Sequence, residues 1–330
     1  MPDYLPLRFM FRHPDRVIGR FTGEKKGPLL IVLGGIHGNE PAGIHAMEII
    51  FKMLEVEPIT NPEFQFAGRV VGLRGNINAL EKKQRYINQD LNRMFTPEKI
   101  REVLEKSMAE LGPEERELLD LVKTMDEEVM NYQPDEMVLL DLHTTTAYGG
   151  IFSIAKDDDR SLELAVELHA PVVRGMLQGL QGTTLHFIEH HRFFDIEATA
   201  VCFESGQHDE KLSVNRAIAG VINCMRTLGN VRGEHVENQH DKLLREFSHG
   251  LPKVTNLVYK HMIHPGDDFK MLGHYKNFQQ ISKGELLAQD KNGEIHAPYD
   301  GLILMPLYQK QGEEGFFIVQ PAEKLYGVIG

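Results

Sequence analysis

The chain has 330 residues, of which 42% are hydrophobic, carries a formal net charge of −12 at pH 7 and contains two cysteines, Cys202 and Cys224. This acidic balance argues against general nucleic-acid binding, because phosphate backbones attract basic surfaces, and two cysteines are too few for a disulfide framework. Since no apolar run is long enough to span a bilayer and the N-terminus lacks the apolar core of a signal peptide, we expect a cytoplasmic protein without nucleic-acid or membrane partners.

The first 230 residues alternate between strand-like and helical patterns. Apolar runs bounded by glycine predict strands, and apolar residues at helical spacing predict helices. In chain order, the predicted elements are strands at 17–21 and 29–33, a helix at 41–54, a strand at 66–72, one or two helices within 97–131, strands at 137–142 and 151–155, a helix at 161–175, a strand at 199–203 and a helix at 212–228. This alternation indicates a mixed, mostly parallel α/β sheet flanked by helices.

Two charged segments are predicted to face solvent. Lys25 and Lys26 lie between the first two strands, where they indicate the turn of a hairpin. An acidic run in the helical region indicates a solvated helix face rather than a binding tract. The run includes Glu114, Glu115, Glu117, Asp126, Glu127 and Glu128.

The pattern changes after about residue 235. Short strand-like runs separated by Gly, Pro, Asp and Asn lie at 254–259, 285–288, 302–307 and 316–319. Such a pattern predicts a small antiparallel β domain. We therefore predict two domains, residues 1–238 and residues 239–330.

Residues 34–41, with the sequence GGIHGNEP, offer two metal-binding side chains at the end of a strand-like run. His37 and Glu40 lie three positions apart, and His143 ends another strand-like run about a hundred residues later. Two imidazoles and one carboxylate suit Zn²⁺ and leave a fourth position for water, as a catalytic zinc site requires. Asp141, two residues before His143 on the same strand face, is predicted to hold an imidazole N–H and fix its tautomer. The sequence thus predicts one zinc ion per chain.

Further residues match the other needs of such a site. A metal-activated water requires a general base, and Glu204 follows the strand-like run 199–203. The segment RYINQDLNR contains Arg85, Asn92 and Arg93. Arginines in an acidic chain commonly form structural ion pairs, whereas in a cleft they bind substrate carboxylates through paired hydrogen bonds.

The motifs HGNEPAG, RYINQDLNR, DLHTTT and FESG occur in the order, and near the spacings, of the aspartoacylase and succinylglutamate desuccinylase family. The chain resembles that family, which is related to the zinc carboxypeptidases, over most of residues 28–210 and weakly beyond them. The resemblance implies a zinc-carboxypeptidase-like fold with Glu204 as general base and acid. The zinc ligands that it implies are His37, Glu40 and His143.

The resemblance also implies which residues contact the substrate. Those implied to grip the substrate or polarise its carbonyl are Arg85, Asn92 and Arg93. Tyr308 resembles a tyrosine that reaches the active site from the β domain. Aspartoacylases carry a further substrate-binding arginine shortly before the catalytic glutamate. The candidate here is Arg192, whose offset from Glu204 differs, so the pattern does not predict acetylaspartate as the substrate.

These residues predict hydrolysis of an amide bond, and the resemblance implies that the substrate is a small, carboxylate-bearing N-acyl amino acid. In the resembling family the β domain narrows access to the site, which favours small substrates over peptides. Three alternatives stay open: a zinc carboxypeptidase acting on peptides, a deacylase acting on esters or on N-acylated metabolites such as ectoine precursors, and an inactive homologue that binds a small carboxylate. The oligomeric state is also open, with a homodimer among the options.

Overall fold

The computed structural model describes residues 13–191, 196–232 and 239–322. The fold is mixed α/β, as predicted: a large mixed sheet is flanked by helices, and a β-rich region follows towards the C-terminus. The chain divides into two compact units. The first comprises Met1–His143, Leu180–Ala200 and Met225–Glu237, and the second comprises Thr144–Gly179, Val201–Cys224 and Asn238–Gly330.

The strands are numbered in chain order. They are β1 (Val17–Thr22), β2 (Lys25–Gly34), β3 (Ala67–Arg74), β4 (Glu136–Thr145), β5 (Phe152–Ala155), β6 (Val172–Arg174), β7 (Glu197–Gln207), β8 (Val254–Met262), β9 (Lys270–Met271), β10 (Gln279–Ile281), β11 (Leu286–Asp290), β12 (Gly293–His296), β13 (Gly301–Leu304) and β14 (Glu314–Pro321). The helices are α1 (Ala42–Thr60), α2 (Ile77–Lys82), α3 (Pro97–Leu104), α4 (Pro113–Tyr132), α5 (Asp159–Glu167), α6 (Thr184–His190), α7 (Lys211–Thr227) and α8 (Gln239–Phe247), and a 3-10 turn covers Leu91–Arg93. No helix within these described ranges is both long and apolar enough to cross a bilayer.

In the first unit the strand order is β1-β3-β2-β4. β2 runs parallel to β3 and β4, and its five central residues, 29–33, are fully buried. A continuous apolar run is what a parallel strand covered on both faces requires. The register pairs Gly34 with Leu142, the residue before His143. Since the two strands are parallel, the loop after β2 begins beside Leu142 and His143, near the carboxyl end of β4.

The predicted hairpin at Lys25 and Lys26 is wrong. Both lysines are exposed, but β3 lies between β1 and β2 and pairs antiparallel with β1. The start of β2 also pairs with β3, through Lys25 and Ala67. A short connection between consecutive strands favours a hairpin, and here the strand that follows α1 takes the position between them instead.

The predicted solvated face of α4 is wrong for most of its acidic residues. Four of them are at most 5% exposed: Glu114, Glu115, Glu117 and Glu128. Burial is tolerated because donors reach each carboxylate. Arg16 pairs with Glu117 and with Asp120, and Arg20 and Arg69 pair with Glu128. A buried carboxylate is stable only when its oxygens accept such bonds.

The predicted helix at 161–175 is also partly wrong. It ends at Glu167, and Val172–Arg174 form β6, which pairs with β5 and β8. His169 has a left-handed φ of 55°, and Pro171 follows two residues later. Both features stop a helix, which frees the next residues for strand pairing. The other predicted helices and strands are present, with their ends shifted by several residues.

The strand order in the second unit is β7-β5-β6-β8-β14-β13-β10, with a separate small sheet β12-β11-β9. Among the described residues, the strand pairs β8–β14, β14–β13, β13–β10, β11–β12 and β11–β9 are all antiparallel, as the short C-terminal runs predicted. One core cluster joins these strands, including Leu287, Ile303, Phe316 and Ile318. The predicted boundary between residues 238 and 239 stays a prediction.

Candidate metal centre

His37, Glu40 and His143 meet in the interior of the first unit, where each is at most 6% exposed. One ligand atom from each lies within 4.8 Å of the other two. The Nδ1 atom of His37 is 2.9 Å from Glu40 Oε1, and the Nδ1 atom of His143 is 3.2 Å from Glu40 Oε2. The structure thus brings together the three side chains that the sequence predicted as ligands.

The turn that carries His37 depends on glycine. Gly35 has a φ of +72°, which residues with a Cβ rarely adopt. A Cβ on Gly38 would overlap the backbone of Ala79, and the Gly38 N–H donates to the Arg85 carbonyl at 3.1 Å. The Glu40 N–H closes the turn onto the His37 carbonyl, also at 3.1 Å. This tight turn directs both ligands to the same side.

An aspartate orients each imidazole from behind. The Nε2 atom of His143 is 3.1 Å from Asp141 Oδ2, and the Nε2 atom of His37 is 3.1 Å from Asp90 Oδ1. Each aspartate accepts a hydrogen bond from an Nε2–H group, which fixes the ring so that Nδ1 faces Glu40. Without a metal ion Nδ1 donates to Glu40, and loss of the Nδ1 proton would free a lone pair there for a cation. Asp141 lies where the sequence predicted it. Asp90 was missed, although a carboxylate between two arginines in RYINQDLNR was a signal.

Electrostatics keep the carboxylates ionised. Burial alone would raise the pKa of Glu40, but the charge of His37 and hydrogen bonds from both imidazoles hold it well below the ordinary value. Burial would also raise the pKa of Asp90, but the charges of Arg85 and His37 hold that pKa well below the ordinary value. At His143 burial opposes the charged form, but Asp141 and Glu40 hold the pKa well above normal. Such a site favours positive charge, and its nitrogen and oxygen donors suit Zn²⁺.

Arg85 lies beside the ligands and is largely buried. Its Nη1 atom is 3.7 Å from Glu40 Oε1, and its Nε and Nη2 atoms donate to Asp90 Oδ2 at 3.2 and 2.9 Å. Arg85 therefore forms an ion pair with Asp90 at the centre itself. Arg93, from the same segment, donates from Nη1 to the Asn92 carbonyl at 2.9 Å.

Thr184 links Asn92 to Asp141, and the sequence analysis did not predict it. Its N–H donates to Asn92 Oδ1 at 3.0 Å, and its hydroxyl donates to Asp141 Oδ2. Gly182 brings this segment close, because its φ is +68° and a Cβ there would overlap the Arg93 carbonyl. Asn92 thus has a structural bond through its side-chain oxygen, and its predicted contact with substrate stays a prediction.

Glu204 and Tyr308, two other predicted site residues, belong to the second unit. Glu204 is buried in β7 of the second unit, opposite Phe152 of β5. Tyr308 is 39% exposed, and its hydroxyl donates to the Tyr275 carbonyl at 3.3 Å. Arg192 lies outside the described residues. Their roles stay predictions.

Comparison with known proteins gives the family. Residues 26–228 match the family model of the succinylglutamate desuccinylase/aspartoacylase catalytic domain. A succinylglutamate desuccinylase of Pseudomonas fluorescens is 24% identical over 278 residues, which cover 80% of this chain and 73% of that protein. A protein of Acaryochloris marina named "Probable aspartoacylase" is 32% identical over 148 residues, 44% of this chain and 45% of its own. Another succinylglutamate desuccinylase, of Pseudomonas paraeruginosa, is 38% identical over only 66 residues, 20% of this chain and 18% of that protein.

Solved structures show the same fold. A succinylglutamate desuccinylase/aspartoacylase from Rhodobacter sphaeroides superposes with a TM-score of 0.61 at 16% identity, covering 92% of this chain and 88% of that one. The product-bound ectoine utilization protein EutE from Ruegeria pomeroyi also superposes with a TM-score of 0.61, at 19% identity, covering 91% of this chain and 87% of that one. The family match spans more than half of the sequence and includes all three candidate metal ligands. The chain therefore belongs to the succinylglutamate desuccinylase/aspartoacylase family of deacylases.

Proposed function

We propose that this protein is a zinc-dependent amidohydrolase that removes the acyl group from a small N-acyl amino acid. The observation that carries the proposal is the buried cluster of His37, Glu40 and His143, with an aspartate behind each imidazole. Two neutral nitrogens and a carboxylate oxygen are the donor set of catalytic zinc enzymes. The family consists of deacylases, which agrees with this chemistry.

His37, Glu40 and His143 would hold the ion. When bound, zinc supplies a Lewis acid that lowers the pKa of water and polarises a carbonyl group. Glu204 takes the proton of the attacking water and then delivers it to the departing amine. Arg85 offsets the negative charge that develops on the carbonyl oxygen.

Substrate recognition is assigned to cationic and amide side chains. Arg93 and Asn92 hold a carboxylate of the amino acid in register, and Arg192 and Tyr308 are further candidates for this contact. Guanidinium groups bind carboxylates through two parallel hydrogen bonds, which fixes orientation as well as position. That residues 239–330 narrow the entrance of the site, and so favour small substrates, stays a prediction. A cytoplasmic location and a homodimer stay predictions.

The test is a substrate panel with the purified zinc-loaded protein. Acetyl, succinyl and longer acyl derivatives of several amino acids are compared with short peptides, esters and N-acylated diamines. We expect release of a free amine from one or more acyl amino acids. Preference for peptides or for the other acyl compounds would instead support the carboxypeptidase or metabolite-deacylase alternative. Stoichiometric zinc without any hydrolysis would support the inactive carboxylate-binding protein.

Two variants separate the roles of the residues. Glu204→Ala should keep its zinc and lose turnover by orders of magnitude, since a positioned proton-transfer group contributes about 10²- to 10⁴-fold. His37→Ala should lose the zinc itself, as metal analysis after gel filtration would show. An unimpaired Glu204→Ala variant would remove Glu204 from the mechanism.

A further inference from the structure

Glu114, in the first turn of α4, is a fully buried carboxylate to which the proposed reaction assigns no role. Its Oε1 atom accepts the Ile87 N–H at 2.7 Å and the Asn76 side-chain amide at 3.3 Å. Its Oε2 atom accepts the Asn88 N–H at 3.2 Å. Both carboxylate oxygens are thus bonded to segments outside the helix.

The two backbone N–H groups belong to the segment that serves the metal centre. Arg85 lies two residues before Ile87, and Asp90 lies two residues after Asn88. Arg85 contacts Glu40, and Asp90 contacts His37. Glu114 therefore binds the middle of the segment 85–90, whose two end residues contact two of the candidate ligands.

The third bond leads to the loop that carries the ligands. Asn76 donates its backbone N–H to the Gly35 carbonyl at 2.9 Å, two residues before His37. Its side-chain oxygen accepts the Ala79 N–H at the start of α2. One carboxylate thus joins the segment 85–90 to the residues that support the turn after β2.

The charge of Glu114 is balanced without a cation. Among the described residues no lysine, arginine or histidine forms an ion pair with it, and its three donors are neutral. The N-terminus of the 20-residue helix α4 adds partial positive charge. A buried carboxylate costs free energy that a well-packed apolar side chain would not, so stability alone gives little reason for a glutamate here.

The neighbouring residue provides a contrast. Glu115 lies in the same helical turn and is 5% exposed. It accepts bonds from Lys99, Lys106 and the Gly112 N–H, at 3.0, 2.7 and 3.0 Å. These partners fix α3 and the start of α4, and none belongs to the segment 85–90. The two glutamates therefore differ in what they hold and not in their location along the helix.

We propose that Glu114 is a positioning residue of the metal centre. By accepting the N–H groups of Ile87 and Asn88, it fixes the segment that keeps Arg85 against Glu40 and Asp90 against His37. The proposal rests on the proposed function, because it takes these side chains to surround a zinc ion. It adds to that function a buried acid on α4 as a determinant of zinc affinity.

The experiment compares Glu114→Gln and Glu114→Ala with the matched control Glu115→Gln in the full-length protein. Zinc dissociation constants come from chelator competition, and the visible absorption of the cobalt-substituted protein reports the ligand geometry. Because partners that orient a metal ligand typically contribute about 10- to 100-fold to affinity, we expect about a 10-fold loss for Glu114→Gln. Glu114→Ala, which keeps no acceptor, should lose more. Glu115→Gln should keep the parent's zinc affinity and cobalt spectrum even where its melting temperature falls.

Amide hydrogen exchange of peptides covering residues 85–92 adds a readout that does not depend on the metal. Faster exchange in the metal-free Glu114→Gln protein, and not in Glu115→Gln, supports the proposal. Unchanged exchange, or unchanged zinc affinity and cobalt spectrum, overturns it. If Glu114→Ala does not fold, Glu114→Gln decides. A parent protein that binds no zinc overturns the proposed function, whereas a zinc-binding parent with an unaffected Glu114→Gln variant overturns only this inference.

Discussion

Replacing Thr184 with valine removes one hydroxyl and keeps the branched shape of the side chain. That hydroxyl donates to Asp141 Oδ2, the same oxygen that lies 3.1 Å from His143 Nε2. Asp141 is fully buried, so no solvent replaces the lost donor. The substitution therefore weakens the support of one candidate metal ligand without touching that ligand.

The size of the effect follows from the charge of the acceptor. Hydrogen bonds to charged groups contribute about 1.5–3 kcal/mol to stability, so we expect the free energy of unfolding of the metal-free protein to fall by about 2 kcal/mol. Loss of a residue that orients a metal ligand costs about 10- to 100-fold in affinity. Thr184 does not contact His143 itself but bonds to Asp141, which does. We therefore expect zinc affinity to fall by about 10-fold, near the lower end of that range.

Urea unfolding and chelator competition measure the two quantities. Thr184→Ser, which keeps the hydroxyl, should restore most of the zinc affinity. Thr183→Val is the control: Thr183 caps α6 by accepting the His186 N–H, and losing such a cap costs about 1 kcal/mol. This control should bind zinc like the parent. A Thr184→Val protein that loses stability but keeps the parent's zinc affinity would refute the inference that the bond from Thr184 to Asp141 supports the metal centre.

Three further predictions concern other parts of the first unit. Asp90→Asn should weaken zinc binding by about 10- to 100-fold in chelator competition, because a neutral amide replaces the carboxylate that accepts the hydrogen bond from His37 Nε2. Gly38→Ala should lower the free energy of unfolding by about 1–3 kcal/mol in urea, since the added Cβ overlaps the Ala79 backbone. Burial alone would raise the pKa of Glu115, but Lys106 and further donors lower it from 4.5 to about 2. Its stabilisation is therefore present above pH 4.5 and lost as the pH falls towards 2, so Glu115→Gln should unfold with less pH dependence in that window.

Each of these predictions has a result that contradicts it. Zinc binding by Asp90→Asn equal to that of the parent would mean that the imidazole needs no charged partner. A Gly38→Ala protein as stable as the parent would show that the turn shifts at little cost. An unchanged acid-unfolding curve for Glu115→Gln would mean that Lys99 and Lys106 do not stabilise this carboxylate in the folded state.

The three candidate ligands could be found from sequence because local patterns determine them. His37 and Glu40 share one turn, and His143 follows the apolar run 137–142, which predicts a central, parallel strand. The carboxyl ends of parallel strands meet at one edge, so a local pattern was enough to predict a distant contact. Asp141 followed from the alternation of side chains along the same strand.

Residues whose partners come from tertiary packing could not be found in this way. Thr184 contacts Asp141 across 43 positions and Asn92 across 92 positions, and nothing near it in sequence indicates either contact. The acidic run on α4 was wrongly predicted to face solvent for the same reason. A run of glutamates normally faces water, and Glu117 and Glu114 are buried because distant donors reach them, among them Arg16 and the Ile87 N–H.

The register of β4 against β2 has a consequence for folding. Because side chains alternate along a strand, a slip of β4 by one residue would turn both Asp141 and His143 to the opposite face. A misregistered chain would then lose a ligand and its orienting aspartate in a single error, and it would have no measurable affinity for the ion. Since a ligand that binds only the native form stabilises it by mass action, zinc present during refolding should enrich chains with correctly paired central strands. The zinc ion would thus favour the native register of β4 against β2 during folding, in addition to its proposed role in catalysis.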